Sequence, residues 1–427
     1  MKTKYIFIGI ALACVLGACS RDEESLFDKN ASERAQEALD NANEVLVAPE
    51  FGWEMMYFAN TESKGYNLIM KFEENGRVIA TAKNKETTKN KLLTDSTSTW
   101  QVKLDYGPII TFDTYNEVFH AWADPQEDGD GLLGDYEFLI LSASPERVKL
   151  KGKKHSAYCY LYPRKSDEPA EEYYTNIEAI QNRLCSNGNI FHVQANSGEY
   201  LLHYDANTGL YNLTLPGEAP NEEELESYPF AVMENGIQFM VSPRALGDVR
   251  YDIQDGKLVS AESKIFTAPV SEYFSEHIRL ANGLWMIDIT TNVNDSLKAA
   301  VDAVTEALKA AYPKNKKKAG VQSLRFKKTN DLITFVINYI GNNSKTDIAF
   351  TFNVQVQNGK IDLAYVEPTT VAAKNVLNAF PSMEKLIHEM EGSFAISTSD
   401  VLNPTAGIHM IENSNSEKWF DMTGKVE

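Results

Sequence analysis

The sequence predicts an α+β protein made of antiparallel sheets in helix-then-meander units, with a few helices packed against them. Two patterns carry that prediction. Short apolar runs recur with Gly, Asn and Asp turns between them, too closely spaced for the crossovers that parallel strands need. Twice, such a set of runs follows a segment with apolar residues at helical spacing. The composition agrees: 427 residues that are 43% hydrophobic and 11% aromatic can bury a large core in two or three domains.

The chain opens on an address. Lys2 and Lys4 precede an apolar run from Tyr5 to Leu16, and Gly17-Ala18 places small residues before Cys19. That is the layout of a secretory signal over residues 1–18, too short for a membrane-spanning helix. Leu16-Gly17-Ala18-Cys19 resembles the bacterial lipobox, which implies acylation of the Cys19 thiol. Each buried CH₂ contributes ~0.8 kcal/mol, so two or more acyl chains on one residue give a stable membrane anchor. The competing reading is a secreted protein cleaved elsewhere near this point. Ser20-Arg21-Asp22-Glu23-Glu24 resembles the surface-export signal of Bacteroidota lipoproteins, and residues 19–29 read as a flexible acidic tether in either case.

The first folded domain is expected over residues 30–165. Asn30 and Glu33 have the spacing of a capping box, and Ala35, Ala38, Leu39, Ala42, Val45 and Leu46 make one apolar helical face that Pro49 ends. Strands are expected at Trp53–Phe58, Tyr66–Phe72, Val78–Ala82, Thr99–Leu104 and Ile109–Phe112, with Glu73 to Gly76 as a hairpin turn. Tyr136–Ser142, Arg147–Lys151 and Ala157–Tyr162 extend the meander.

Four stretches here carry a family resemblance: Leu26-Phe27-Asp28-Lys29, Gly65-Tyr66-Asn67-Leu68, Phe112-Asp113-Thr114-Tyr115-Asn116 and Gly134-Asp135-Tyr136-Glu137-Phe138. They are similar to domain-of-unknown-function family 4302, surface lipoproteins of Bacteroidota. The resemblance covers most of the first half and implies a setting beside outer-membrane nutrient-uptake proteins. It implies no chemistry.

Residues 166–427 form the remaining α+β region, with a further division near 275 left open. A helix is expected from Glu171 to Cys185, then strands at Phe191–Ala195, Tyr200–Tyr204, Leu210–Leu215, Phe230–Met233 and Ile237–Val241. Trp285–Thr290 is strand-like. Leu297, Ala300, Val301, Val304, Leu308 and Ala311 make an amphipathic helix capped near Asn294 or Asp295 and ended by Pro313. Another meander, a helix from Ser382 to Met390 and short strands at Phe394–Ile396 and Ile408–Ile411 complete the chain.

The net charge of -19, deepened by two when residues 1–18 are removed, disfavours nucleic acid and anionic lipid surfaces as general partners. Four cysteines reduce to Cys159 and Cys185 once Cys14 is cleaved off and Cys19 acylated; they read as two buried thiols or as a disulfide. The sequence has no zinc-binding His pair of protease spacing, no nucleophile elbow and no phosphate-binding loop.

Three clusters are candidate sites. Asp124, Asp128, Asp130 and Asp135 lie on a Gly-rich stretch able to wrap calcium, or to form a solvated acidic turn. Trp122, beside them, is expected to be exposed, and a flat aromatic next to carboxylates suits a sugar; Trp419 is expected exposed as well. Trp53, Trp100 and Trp285 read as core. A Ser197-Gly198 turn would set His192 opposite His203, with Asp205 nearby, as candidate metal ligands; ordinary solvent-facing histidines are the alternative. Lys314, Lys316, Lys317, Lys318, Arg325, Lys327 and Lys328 form one basic cluster, suited to an anionic glycan or simply a solvated loop.

The expectation is therefore an outer-membrane, surface-exposed lipoprotein anchored through Cys19. Its leading role is non-catalytic capture of a glycan or related nutrient for uptake proteins. A glycan- or peptide-processing hydrolase of the same pathway, or an adhesion or scaffold lipoprotein, is the alternative.

Overall fold

The computed structural model describes residues 30–426 apart from 87–92, 125–131, 186–188, 196–197, 216–225, 244–245, 261–264, 268–269, 281, 292, 330–331, 358–359, 367, 369 and 401. Cys19 and the acidic tether lie outside the described residues, as do Asp128 and Asp130. No described helix is long and apolar enough to cross a membrane.

Helix α1 (Ala31–Val47) begins on the expected capping box, with the Asn30 side chain accepting from the Glu33 N–H at 2.9 Å and the Glu33 carboxylate accepting from the Asn30 N–H at 3.1 Å. Eight strands follow: β1 (Trp53–Phe58), β2 (Gly65–Phe72), β3 (Arg77–Ala82), β4 (Thr94–Leu104), β5 (Pro108–Phe112), β6 (Glu137–Ser144), β7 (Arg147–Gly152) and β8 (Tyr158–Pro163). Each pairs antiparallel with the next, and β1 also pairs with β8, so the meander closes into a barrel. Its interior is filled by Trp53, Tyr57, Met70, Trp100, Phe112 and Phe138 among others, a packed core and not a channel. Helix α1 covers one mouth, where Trp53 donates to the Leu46 carbonyl at 2.8 Å. The short helix α2 (Glu117–His120) covers the other, where Phe119 stacks on Phe112.

Helix α3 (Ala170–Leu184) leads into the middle sheet, whose strands are β9 (Ile190–Ala195), β10 (Gly198–Asp205), β11 (Leu210–Thr214), β12 (Glu226–Tyr228), β13 (Phe230–Met233), β14 (Gly236–Phe239), β15 (Arg250–Gln254), β16 (Lys257–Val259) and β17 (Ile265–Thr267). The order is β12-β11-β10-β9-β17-β16-β15-β14-β13. The two edge strands β12 and β13 are separated in sequence by Pro229 alone, which forces the sheet to curl until its edges approach.

Helix α4 (Val270–Leu280) precedes a second closed barrel of β18 (Gly283–Ile287), β19 (Gly320–Thr329), β20 (Leu332–Ile340), β21 (Lys345–Gln357), β22 (Lys360–Tyr365), β23 (Gly392–Thr398), β24 (Ile408–Glu412) and β25 (Trp419–Val426). Helix α5 (Asp295–Ala311), capped by the Asn294 side chain as expected, packs on β19 and on α7 (Ser382–His388), which follows α6 (Val371–Ala379). The last strand was not evident in the sequence. Its polar lead-in hides it, yet Trp419–Val426 closes the barrel by pairing with both β18 and β24. Trp419 is accordingly half-buried and not exposed.

The three units are packed on one another. Met56, Phe58, Tyr160 and Tyr162 on the outside of the first barrel meet Ala231, Met233 and Met240 of the middle sheet. Among the polar links, Tyr160 donates to the Met240 carbonyl at 2.8 Å, Tyr162 to Gln238 at 2.7 Å, and Asn67 to the Val232 carbonyl at 2.7 Å. On the far side, Asn189 donates to the Leu184 and Leu402 carbonyls, both at 2.8 Å, and accepts from the Tyr273 hydroxyl at 3.0 Å.

Candidate ligand-binding cleft

Of the sequence-predicted acidic site, Trp122, Asp124 and Asp135 lie among the described residues, and Trp122 is not exposed as expected. Trp122 is 1% exposed, and its indole packs between Tyr57 and Tyr66 with centroid distances of 5.3 and 4.2 Å. Gly134 explains the burial: a Cβ there would lie 2.3 Å from the Trp122 Cβ and 2.4 Å from the Tyr57 hydroxyl, so glycine lets this segment close over the ring. Asp135 is buried too. Its carboxylate accepts the N–H groups of Lys154 at 3.0 Å and His155 at 2.8 Å and so fixes the β7–β8 turn. Asp124 accepts from the Tyr115 hydroxyl at 2.6 Å, a bond that raises the phenol's pKa. Trp122 and Asp135 are thus structural, holding the mouth of the barrel shut.

The histidine pair is also corrected. Ala195 pairs with Gly198, so each residue of β9 faces a partner two residues earlier on β10 than a Ser197-Gly198 turn would set. His192 opposes Leu201 and His203 opposes Ile190. Their polar neighbours differ: His192 lies 3.5 Å from Glu199, and His203 3.5 Å from the Asn212 amide. Burial pushes the His203 pKa down. Among the described residues no three His, Cys, Asp or Glu side chains are grouped to hold a metal. Cys159 and Cys185 are both free thiols, and burial pushes Cys159 up to about 12.

The basic cluster divides in two. Arg325 is paired with Asp347, whereas Lys314, Lys316, Lys317 and Lys318 line an open hollow after α5.

A cleft of about 670 Å³, with Tyr66 in its lining, lies between the covered mouth of the first barrel and α3. One wall is Lys64, Tyr66 and Asn67 with Lys83 to Glu86; the other is Glu178, Gln181 and Asn182. Tyr66 is half-buried, and its phenol is pushed up by burial and by the neighbouring Glu86. Lys64 Nζ sits over its ring at 5.2 Å and 3.6 Å from Glu86. Lys83 lies 3.4 Å from Glu171 and 3.6 Å from Glu178, which ties the two walls together.

Local folding positions these groups. Gly65 has no room for a side chain, since a Cβ would lie 2.6 Å from that of Ala231; the middle sheet therefore presses directly on the start of β2. The Tyr174 hydroxyl, shared between the Asn67 carbonyl at 3.0 Å and the Thr81 carbonyl at 2.9 Å, clamps α3 across β2 and β3. The result is an open cleft with one aromatic face, amides able to donate and accept, and both signs of charge. Sequence reasoning missed it because its walls are about a hundred residues apart. The signals present were Gly65-Tyr66-Asn67 and the lysines at 64, 83 and 85 of an acidic chain.

Two curled or closed meanders clamped by tyrosines, with a polar cleft at their junction, are the architecture of a binding or scaffold protein as readily as of an enzyme. The chain belongs to the family described as Domain of unknown function (DUF4302), which matches residues 23–252, a little over half of the chain. The match takes in the whole first barrel, the cleft and most of the middle sheet. No curated protein matches the chain. Among solved structures, a DNA polymerase III subunit beta sliding clamp from Bartonella birtlesii is similar at 11% identity, covering 92% of this chain and 98% of that one. Its TM-score of 0.14 is too low to bear on fold or function.

Proposed function

We propose that this is a lipid-anchored outer-membrane protein, tethered at the cell surface through Cys19, that captures a glycan in the cleft between the first barrel and α3. The observation that carries the reading is the cleft itself: Tyr66 contributes an aromatic ring to its lining, while Asn84, Gln181, Asn182 and the flanking Lys and Glu side chains offer hydrogen bonds. Sugars present CH faces and hydroxyls, and that combination fits them better than an apolar ligand. The lipobox-like Cys19 and the acidic residues after it support surface attachment. Handing the glycan to an uptake protein follows from that location.

A thermal-shift screen of residues 20–427 against polysaccharides, oligosaccharides and calcium tests capture. A ligand that binds only the folded state raises the melting temperature. A glycan shift that Gln181→Ala with Asn182→Ala abolishes is the expected result; no shift with any glycan overturns the proposal. Membrane fractionation of Cys19→Ala tests the anchor, and a variant that stays membrane-bound contradicts it.

A further inference from the structure

We propose that the outer face of the second barrel carries a nucleophilic site for small acyl esters, with Ser397 as nucleophile, His409 as general base and Asp421 positioning the base. The three residues come from adjacent strands. The register pairs Ser397 with His409 across β23 and β24, and His409 with Asp421 across β24 and β25. Directly opposed residues have Cβ atoms about 4.5–5.5 Å apart and side chains on the same face. Phe394, Met410, Phe420 and Met422 are buried inside the barrel, so the alternating Ser397, His409 and Asp421 form one row on its outside.

The order within the row matters. His409 Nδ1 lies 2.6 Å from the Asp421 carboxylate. A carboxylate on Nδ1 holds the proton there and leaves the Nε2 lone pair on the opposite side of the ring, the arrangement a general base requires. Ser397 stands on the strand away from Asp421. The Trp419 ring, 5.5 Å from the imidazole, flanks it along the next row. An ordinary surface ion pair needs neither a hydroxyl on the far side nor a hollow above it. Here a depression of about 350 Å³ is lined by all three residues together with Ser399 and Thr423. Asp288, also at its edge, does not compete for the imidazole. Its carboxylate accepts the N–H and hydroxyl groups of Thr290 and Thr291, which hold its pKa well below the usual range.

The reaction balances without a cofactor. Ser397 Oγ attacks the ester carbonyl carbon while its proton passes to His409 Nε2; the C–O bond to the alcohol breaks, and the alcohol leaves with that proton. Water, deprotonated by the same nitrogen, then cleaves the acyl–Ser397 bond, releasing the acid and returning the proton to Ser397. Ester and water become acid and alcohol. The shallow, open depression suits a small acyl group on an accessible alcohol better than a long peptide, which needs an extended groove.

The test uses residues 20–427 with p-nitrophenyl acetate and, separately, a fluorophosphonate probe read by peptide mass spectrometry. A single adduct on Ser397 is expected, absent in Ser397→Ala, with hydrolysis about 100-fold slower in His409→Ala. Asp421→Asn is expected to slow hydrolysis and shift its pH–rate profile, which a merely structural role would not do. Melting temperatures confirm that each variant is folded. No adduct, an adduct on another residue, or hydrolysis unchanged in Ser397→Ala overturns the proposal. The cleft shares no lining residue with this depression, so the Gln181→Ala, Asn182→Ala variant is expected to keep the activity, and the two readings fail separately.

Discussion

Trp122 lies beneath Tyr66 and reaches no solvent, so it shapes the cleft wall without touching what enters. Trp122→Ala should therefore behave as a core deletion, costing about 3–5 kcal/mol in denaturant unfolding. An unchanged unfolding midpoint with only glycan binding lost would contradict its placement. A second residue-scale consequence concerns charge. Glu54 is buried in the junction between the first barrel and the middle sheet, where burial raises its pKa against the opposing pull of the Tyr173 hydroxyl, Arg250 and Arg164. At the junction's rim, the Glu234 carboxyl is raised from 4.5 to about 7 by partial shielding and by the adjacent Glu168 carboxyl. A carboxyl that holds its proton more tightly when folded supports folding at low pH, and that contribution is lost as pH rises through 4.5 to about 7. The melting temperature of Glu234→Gln should thus gain on that of the parent between about pH 5 and about pH 8. A constant difference would contradict the shift.

At the scale of elements, α3 is the piece that makes the cleft. It is clamped by one hydroxyl reaching two carbonyls on two strands, so Tyr174→Phe should cost about 1 kcal/mol in stability and weaken glycan binding together. Hydrogen exchange concentrated in α3 and β2 would locate the loosening; an effect spread evenly over the chain would not fit. Individual elements were largely legible in the sequence. The capping box at Asn30 and the cap at Asn294 formed as their spacing implied, because both are local and geometric. Most strands of the first meander matched to within a few residues, since their apolar runs are bounded by Gly, Asn and Asp. Legibility failed where a partner far along the chain decides. The β9–β10 register is fixed by what Ile190 and Leu201 bury on the third unit, not by which residues resemble a turn. Trp122 read as exposed because acids follow it, and only the glycine at 134 allows it to be enclosed.

Across the whole molecule, closure is the non-local feature. The pairing of Trp53 with Pro163 turns a meander into a barrel, and the pairing of Trp285 with Gly424 does so again. No periodicity within either strand announces such contacts, and the cleft inherits the same opacity. Asn189 joins the units at their centre, so Asn189→Ala withdraws the donor from two buried carbonyls and should cost about 2 kcal/mol or more. Faster limited proteolysis between the middle sheet and the second barrel should accompany it; a variant as stable and resistant as the parent would show that the units do not depend on this link.

Glycan capture in the cleft between Tyr66 and α3 is the proposal on which the rest depends. Isothermal titration tests it most directly, with the best glycan from the screen added to residues 20–427 and to the Gln181→Ala, Asn182→Ala double variant. Both positions are exposed, so the fold should be unaffected. Saturable binding by the parent and at least roughly tenfold weaker binding by the variant, a difference of about 1.4 kcal/mol, are expected at an unchanged melting temperature. Equal affinity in the two proteins would place the ligand elsewhere and contradict the proposal.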